Sequence, residues 1–193
     1  MPLLKTFFAV FAGSCLLSAQ FAEDPAAAAK ELFPKGERLQ QLRLPDVANY
    51  LQLRVGSKAA EVGCGDGEVA LIWGRTVGPS GHVYAEDIDE KGALAPARKN
   101  VKRFHAANVT VVRGTVEDPK LPAGQLDAIS LQWVYHELTK YPEMLAQFKR
   151  ALKPGGRLVI IDPLPRKTAP QRADEEPRPT ARSGGIRNSL GRF

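Results

Sequence analysis

Cysteine is nearly missing from this chain of 193 residues, which holds only Cys15 and Cys64. Two thiols exclude a disulfide framework, and removal of an N-terminal leader would leave Cys64 alone, so cysteine usage does not fix the compartment. Histidine is as scarce: His82, His105 and His136 are the only three, and no cluster of His, Cys and acids has metal-ligand spacing. No apolar run is long enough to span a bilayer comfortably, the best stretch being residues 7–17. No Gly-Lys-Ser/Thr follows a glycine-rich turn, which excludes a Walker-type phosphate loop.

Charge is present but uneven. The formal net charge is +6, yet residues 164–193 alone carry seven basic side chains against three acids. The remainder is close to neutral, so the basic balance is poor support for nucleic-acid binding by the body of the protein. At the other end, Lys5, the apolar stretch and then Ser18 and Ala19 read as a signal peptide over residues 1–22, or as an uncleaved N-terminal anchor. Export to a periplasm or the exterior, or membrane tethering, is the expectation; without a working signal the protein would be cytoplasmic. A membrane is expected as a partner only through that segment.

The densest signal is Ala59-Ala60-Glu61-Val62-Gly63-Cys64-Gly65-Asp66-Gly67, an apolar strand running into three glycines at alternate positions. Glycine lacks a Cβ and tolerates φ > 0, so such a turn brings bare backbone against a ligand. A dinucleotide turn reads G-x-G-x-x-G around a pyrophosphate, but here the third glycine position is Glu68. A carboxylate in the first helical turn suits the helix dipole and repels a pyrophosphate. The expected ligand is of nucleotide type and carries no phosphate.

Further along, Gly81-His82-Val83-Tyr84-Ala85-Glu86-Asp87-Ile88-Asp89 reads as a second strand ending in acids, and Val109 to Val112 with Arg113-Gly114-Thr115-Val116-Glu117-Asp118 as a third with its loop. Leu126-Asp127-Ala128-Ile129-Ser130-Leu131 reads as a fourth, and Ala151-Leu152-Lys153-Pro154-Gly155-Gly156 leads into Leu158-Val159-Ile160-Ile161-Asp162 as a fifth. Together with E-x-G-x-G-x-G, this order and spacing resembles the class I S-adenosylmethionine-dependent methyltransferases, of the type 11/25-like kind, over roughly residues 36–163. The resemblance implies an α/β fold: a Rossmann-like, doubly wound, mostly parallel sheet of order 3-2-1-4-5. Alternating strands and helices agree with parallel crossovers.

The resemblance also implies roles. Glu61 would approach the methionine amino group of S-adenosyl-L-methionine, and Gly63, Cys64, Gly65 and Gly67 would form the loop beneath the methionine and ribose. Cys64 reads as a small loop filler rather than a nucleophile. Asp87 would take the ribose hydroxyls, since an ionised carboxylate only accepts hydrogen bonds; Glu86 and Asp89 are its competitors. Thr115, Val116 and Glu117 would meet the adenine, with Asp118 as a neighbour. Beyond the fourth strand, His136 is a candidate general base and Tyr135 a candidate aromatic contact, with Trp133 as an alternative. No metal is expected.

The acceptor is expected to be a small molecule. The Asp/Asn-Pro-Pro-aromatic motif of amino-methylating nucleic-acid enzymes is missing after the fourth strand, as is the cysteine nucleophile of the cytosine-C5 type. Oligomeric state is not readable.

Around this core, residues 23–35 read as a small-residue linker or frayed helix, and 36–53 as amphipathic helices broken at Pro45. Helices are expected over residues 67–77, 89–103 and 142–153. Gly92 and Pro96 weaken the second, while Pro142 suits a first helical position. Residues 164–193 have the composition of a disordered Pro/Arg-rich tail. They offer nothing for the antiparallel strands that normally finish such a sheet, so the fifth strand is expected to be an exposed edge. A shortened sheet leaves open a second function: an inactive relative that binds an adenosyl ligand or a partner.

Overall fold

The computed structural model describes residues 22–162 and 191–192. Three short helices come first: α1 (Pro25–Leu32), α2 (Glu37–Gln41) and α3 (Leu44–Leu51). The alternating body follows as β1 (Lys58–Val62), α4 (Glu68–Val77), β2 (His82–Asp87), α5 (Ala95–Arg103), β3 (Val109–Arg113), β4 (Leu126–Gln132), α6 (Tyr141–Ala151), β5 (Leu152–Ile161) and β6 (Gly191–Arg192). The sheet order is β3-β2-β1-β4-β5-β6, with the first five strands parallel, as the sequence pattern implies. The leader proposed for residues 1–22 and the tail proposed for 164–193 lie outside the described residues, apart from Ala22 and the two residues of β6.

Helices cover both faces of the sheet, which is why the central strands are apolar on both sides. In β1 every residue after Lys58 is buried, and β4 is buried at all positions except Asp127. Alternation sends Ala59 and Ala128 into one apolar cluster with α1, α3, α4 and α5. Their neighbours Ala60 and Ile129 join a second cluster with Met144 and Phe148 of α6.

Asp127 joins three strands at their amino ends. Its Oδ2 accepts the Lys58 N–H of β1 at 2.8 Å, and its Oδ1 meets Lys153 Nζ of β5 at 2.6 Å. Both bonds lie at the edge of the sheet away from the glycine turn.

Three expectations need correction. Residues 25–32, read as a linker or frayed helix, form α1, which packs on α4 with Ala28 and Leu32 buried. Asp24 caps it, its Oδ1 accepting Ala26 N–H at 2.9 Å and Ala27 N–H at 3.0 Å. The helix expected over 89–103 is split: a π-helical turn, Glu90–Leu94, precedes α5. Pro96 lies at the start of α5, where its missing N–H is harmless, so the proline sets the boundary instead of weakening an interior. Finally, β6 adds an antiparallel pairing on the outer edge of β5, opposite Arg157 and Leu158 only.

Candidate functional site

In an open parallel sheet, ligands bind beyond the carboxyl ends of the strands where the strand order reverses. Here that point lies between β1 and β4. Beyond β1 the chain turns through Gly63, Gly65 and Gly67, with φ of 70°, 55° and 84°. Cys64 N–H donates to Glu86 O at 2.8 Å and Gly67 N–H to Cys64 O at 2.9 Å, closing the turn over the end of β2. At Gly65 a Cβ would meet nothing within 4 Å, so the open side of the turn is free. At Gly63 a Cβ would lie 2.5 Å from Val134 Cγ2, so the segment after β4 crosses this glycine directly.

Asp87 ends β2 and reaches the turn. Its Oδ2 accepts Gly65 N–H at 3.0 Å, while Oδ1 accepts Asp89 N–H at 3.0 Å. Each oxygen keeps a lone pair for a further donor. The carboxylate and the turn therefore share one rim, the juxtaposition that the motif implies.

A cavity of about 150 Å³ opens there, lined on one side by Gly63, Glu86, Asp87 and Ile88 and on the other by Thr115, Val116, Val134 and Glu137. Three carboxyl groups and no basic side chain line it. Of the residues proposed from sequence, the structure brings Gly63, Asp87, Thr115 and Val116 to this lining, and Gly65 to its rim through Asp87. Gly67 is buried at the start of α4, and Glu117 is exposed outside the lining. Thr115 closes its own turn: its Oγ1 accepts Asp118 N–H at 3.0 Å.

Two of the proposed residues turn inward. Glu61 is 2% exposed, and its Oε2 accepts Trp73 Nε1–H at 3.3 Å and the Ser130 hydroxyl. Ser130 is its register partner on β4, and Trp73 reaches it from α4, so donors inside the protein take the carboxyl away from the crevice. Burial pushes Glu61 up to about 8, against the pull of the Ser130 and Trp73 bonds. Cys64 is also buried, with Sγ 3.5 Å from Gly65 O. Burial, with Asp87 and then Glu61 nearby, pushes its thiol far upward, so it fills the loop and is no nucleophile.

Glu86 was treated in the sequence only as a competitor of Asp87. It is 1% exposed and pushed up to about 8 by burial and then by Asp87, with Oε1 lacking any partner. Gly114 makes this possible, since a Cβ there would overlap Glu86 Oε1. The signal was available: an acid inside a strand, facing a glycine at the end of the next one.

On the β4–β5 side, Trp133 N–H donates to Ile161 O at 2.7 Å and Trp133 takes φ 62°. The chain then forms a single 3-10 turn, Tyr135–Glu137. His136 is exposed and lies off the cavity lining, but it is held: its Nδ1 is 2.8 Å from Asp162 Oδ1 and its N–H donates to Asp162 Oδ2 at 3.0 Å. Asp162 follows β5 and was not singled out in the sequence. Tyr135 is half-buried and packs against the α6-side cluster. Among the described residues no group of His, Cys and acids is placed to hold a metal ion, and no helix is long and apolar enough to cross a membrane.

A larger cavity of about 570 Å³ lies at the opposite edge, beside Gly81, His82 and Asn108. None of the proposed residues lines it, and Asn108 Nδ2 is already bonded to Gly74 O and Gly78 O.

Comparison with known proteins follows the same outline. The chain is 28% identical over 117 residues to demethylmenaquinone methyltransferase of Geobacillus sp., covering 61% of this chain and 50% of that protein. It is 28% identical over 110 residues to the ubiquinone/menaquinone biosynthesis C-methyltransferase UbiE of Pseudomonas putida, covering 57% and 43%. The chain spans about half the length of the curated relatives it matches. Among solved structures, a SAM dependent methyltransferase from Aquifex aeolicus superposes with a TM-score of 0.64 and 28% identity, covering 77% of this chain and 78% of that one. The family profile described as "Methyltransferase domain" matches residues 60–160, more than half of the 193. With the glycine turn, the Asp87 contact and the five parallel strands all in place, the chain belongs to the methyltransferase-domain family of class I, S-adenosylmethionine-dependent methyltransferases.

Proposed function

We propose that the protein transfers a methyl group from S-adenosylmethionine to a small organic acceptor, with a hydroxylated ring of the quinol type as the acceptor class. The observation that carries this reading is the Asp87–Gly65 contact at the mouth of a cavity lined by carboxyl groups and by no cation. Such a site attracts a sulfonium and an α-amino group and rejects a pyrophosphate. Asp87 offers its remaining lone pairs to the ribose diol. Ile88 and Val116, 47% and 48% exposed, give a purine ring two apolar surfaces. When bound, S-adenosylmethionine supplies an electrophilic methyl group on sulfur. The contribution of the chain is then to hold the acceptor in line and to exclude water, which in well-oriented systems removes several kcal/mol, roughly 7–11, of the barrier. The acceptor class rests on the relatives, whose names place two of them on menaquinone or ubiquinone precursors.

A second reading, binding without turnover, is favoured by one observation. Val134 covers Gly63 and leaves only about 150 Å³ of cavity, below the roughly 300–1,000 Å³ of ordinary ligand pockets. Calorimetry with S-adenosylmethionine, S-adenosylhomocysteine and NAD tests the main reading. Binding of the first two and not of NAD is the expected result, and binding of NAD alone would overturn it. Release of labelled methyl onto demethylated quinols, with the same preparation, separates catalysis from mere binding.

A further inference from the structure

The mechanism above leaves one arrangement unused, the pairing of His136 with Asp162. We infer that Asp162 is a positioning residue that fixes the His136 imidazole as a proton acceptor for a hydroxyl-bearing aromatic methyl acceptor. The inference rests on the proposed methyl transfer and adds to it the residue that prepares the base.

The two residues are 26 positions apart and are joined by the sheet. Trp133 N–H donates to Ile161 O at 2.7 Å, one residue short of Asp162. This is the last rung of the β4–β5 pairing, in which Gln132 faces Ile161, and it brings the residues that follow both strands side by side. Asp162 uses both oxygens on the same residue: Oδ2 takes the His136 backbone N–H at 3.0 Å and Oδ1 faces the ring Nδ1 at 2.8 Å. A surface ion pair has one flexible contact and contributes little. Here the backbone bond fixes the carboxylate before the ring is considered, and the Asp162 side chain is only 22% exposed.

The tautomer follows from chemistry. An ionised carboxylate can only accept, so the proton of the neutral ring sits on Nδ1 and the lone pair is left on Nε2. Nε2 has no hydrogen-bond partner given to it by Asp162, and the His136 side chain is 52% exposed, so it is open to an incoming group. Glu137 Oε1 lies 3.7 Å from Nε2 and also lines the acidic cavity, which places the ring at the border between the cavity and solvent. A positive charge arising on the ring would therefore meet carboxylates on both sides.

In the step this supports, Nε2 takes the hydroxyl proton of the acceptor. The electron pair released on the acceptor forms its new bond to the methyl carbon. The carbon–sulfur bond breaks, its pair returning to sulfur, and the sulfonium becomes a neutral thioether. The imidazolium then gives the proton to water. One proton is released per methyl transferred, and no oxidant or reductant is needed.

The test is ¹⁵N NMR of the full chain at alkaline pH, where the imidazoles are neutral. With three histidines, His136→Gln assigns the signal. The expected result is the Nδ1–H tautomer for His136, in the free protein and with S-adenosylhomocysteine bound. In Asp162→Asn the carboxamide N–H can donate to Nδ1, so the tautomer should invert to Nε2–H while S-adenosylhomocysteine affinity is unchanged. An Nε2–H ring in the wild type, or one tautomer common to both proteins, would overturn the positioning role. Hydroquinone, titrated to its solubility limit, should move the Nε2 resonance of the wild type and leave that of Asp162→Asn in place; no movement in the wild type rejects the hydroxyl-bearing acceptor. Failure of S-adenosylhomocysteine to bind at all would instead reject the proposed function, since the tautomer of the free protein is read independently.

Discussion

The carboxyl edge of the sheet has two halves that hold their polar groups in opposite ways. On the β1–β2 side, carboxyl groups are sunk into the fold: Glu61 and Glu86 are 2% and 1% exposed, and backbone N–H groups and glycines shape the rim around them. On the β4–β5 side, a polar pair stands at the surface, with His136 half-exposed and Asp162 anchoring it through two bonds. The first half is buried carboxyl groups framed by backbone; the second is exposed side chains on a short turn. Under the proposed function, binding falls to the first half and chemistry to the second, and the halves are tied together where Ser130 meets Glu61 and Val134 crosses Gly63.

The steepest way to break this contrast is to strike the point where the halves touch. Gly63→Ala places a Cβ 2.5 Å from Val134 Cγ2 at a φ of 70°. Overpacking and left-handed strain together should cost roughly 2–4 kcal/mol in denaturant unfolding. Val134→Gly in the same chain should restore the steric part, because it removes the Cβ at 2.8 Å as well as both Cγ atoms, and a double variant no more stable than Gly63→Ala would show that the two halves are not in contact. Next, Trp73→Phe removes the indole N–H from Glu61 and Ser130. A loss of about 1–3 kcal/mol is expected for buried acceptors left with one donor fewer. A neutral result would mean that the buried half is less closely satisfied than its geometry indicates. Asp87→Ala should weaken S-adenosylmethionine binding tenfold or more, about 1.4 kcal/mol, because it removes both the carboxylate and the Gly65 brace. Calorimetry reads it, and unchanged affinity would remove Asp87 from the site.

A further prediction sharpens the contrast through pH. Glu61 and Glu86, raised from an ordinary 4.5 to about 8 by burial, keep protons in the folded protein that the unfolded chain has already released. Their contribution is therefore complete below about 4.5 and declines as pH rises toward 8. The melting temperature should fall across that window, and Glu61→Gln should flatten its share of the slope. A melting temperature that rises through the same window would show these carboxyls to be ionised in the fold.

What could be read in the sequence was local. The five strands and the glycine turn followed from short motifs, because strand patterning and bare backbone are fixed by neighbours in the chain, while the strand order came from the family resemblance. Asp87 was legible for the same reason: it ends a strand whose place in the sheet was already set. The inward turn of Glu61 was not, since it depends on Trp73 and on Ser130 at a register partner 69 residues away. Glu86 stands in the sequence only as an alternative to Asp87, because its accommodation needs the missing Cβ of Gly114, just past the end of the neighbouring strand. Asp162 was missed altogether, for its meaning arises only when β5 is laid beside β4. Four consecutive alanines leave residues 25–32 open between a linker and a frayed helix, and the packing of α1 on α4, with Ala28 buried, decides for the helix.

Asp127, at the far end of the sheet, has a bearing on how the chain finds its register. Parallel strands are joined by long crossovers and so lack a tight hairpin to align them, and a slip by one residue would exchange the two faces of a strand. A carboxylate that meets the Lys58 N–H and the Lys153 ammonium at once favours the observed alignment of three strands. A slip of β1 against β4 costs the Lys58 bond and a slip of β5 costs the Lys153 pair, so this small polar clasp marks the observed alignment on both sides of β4.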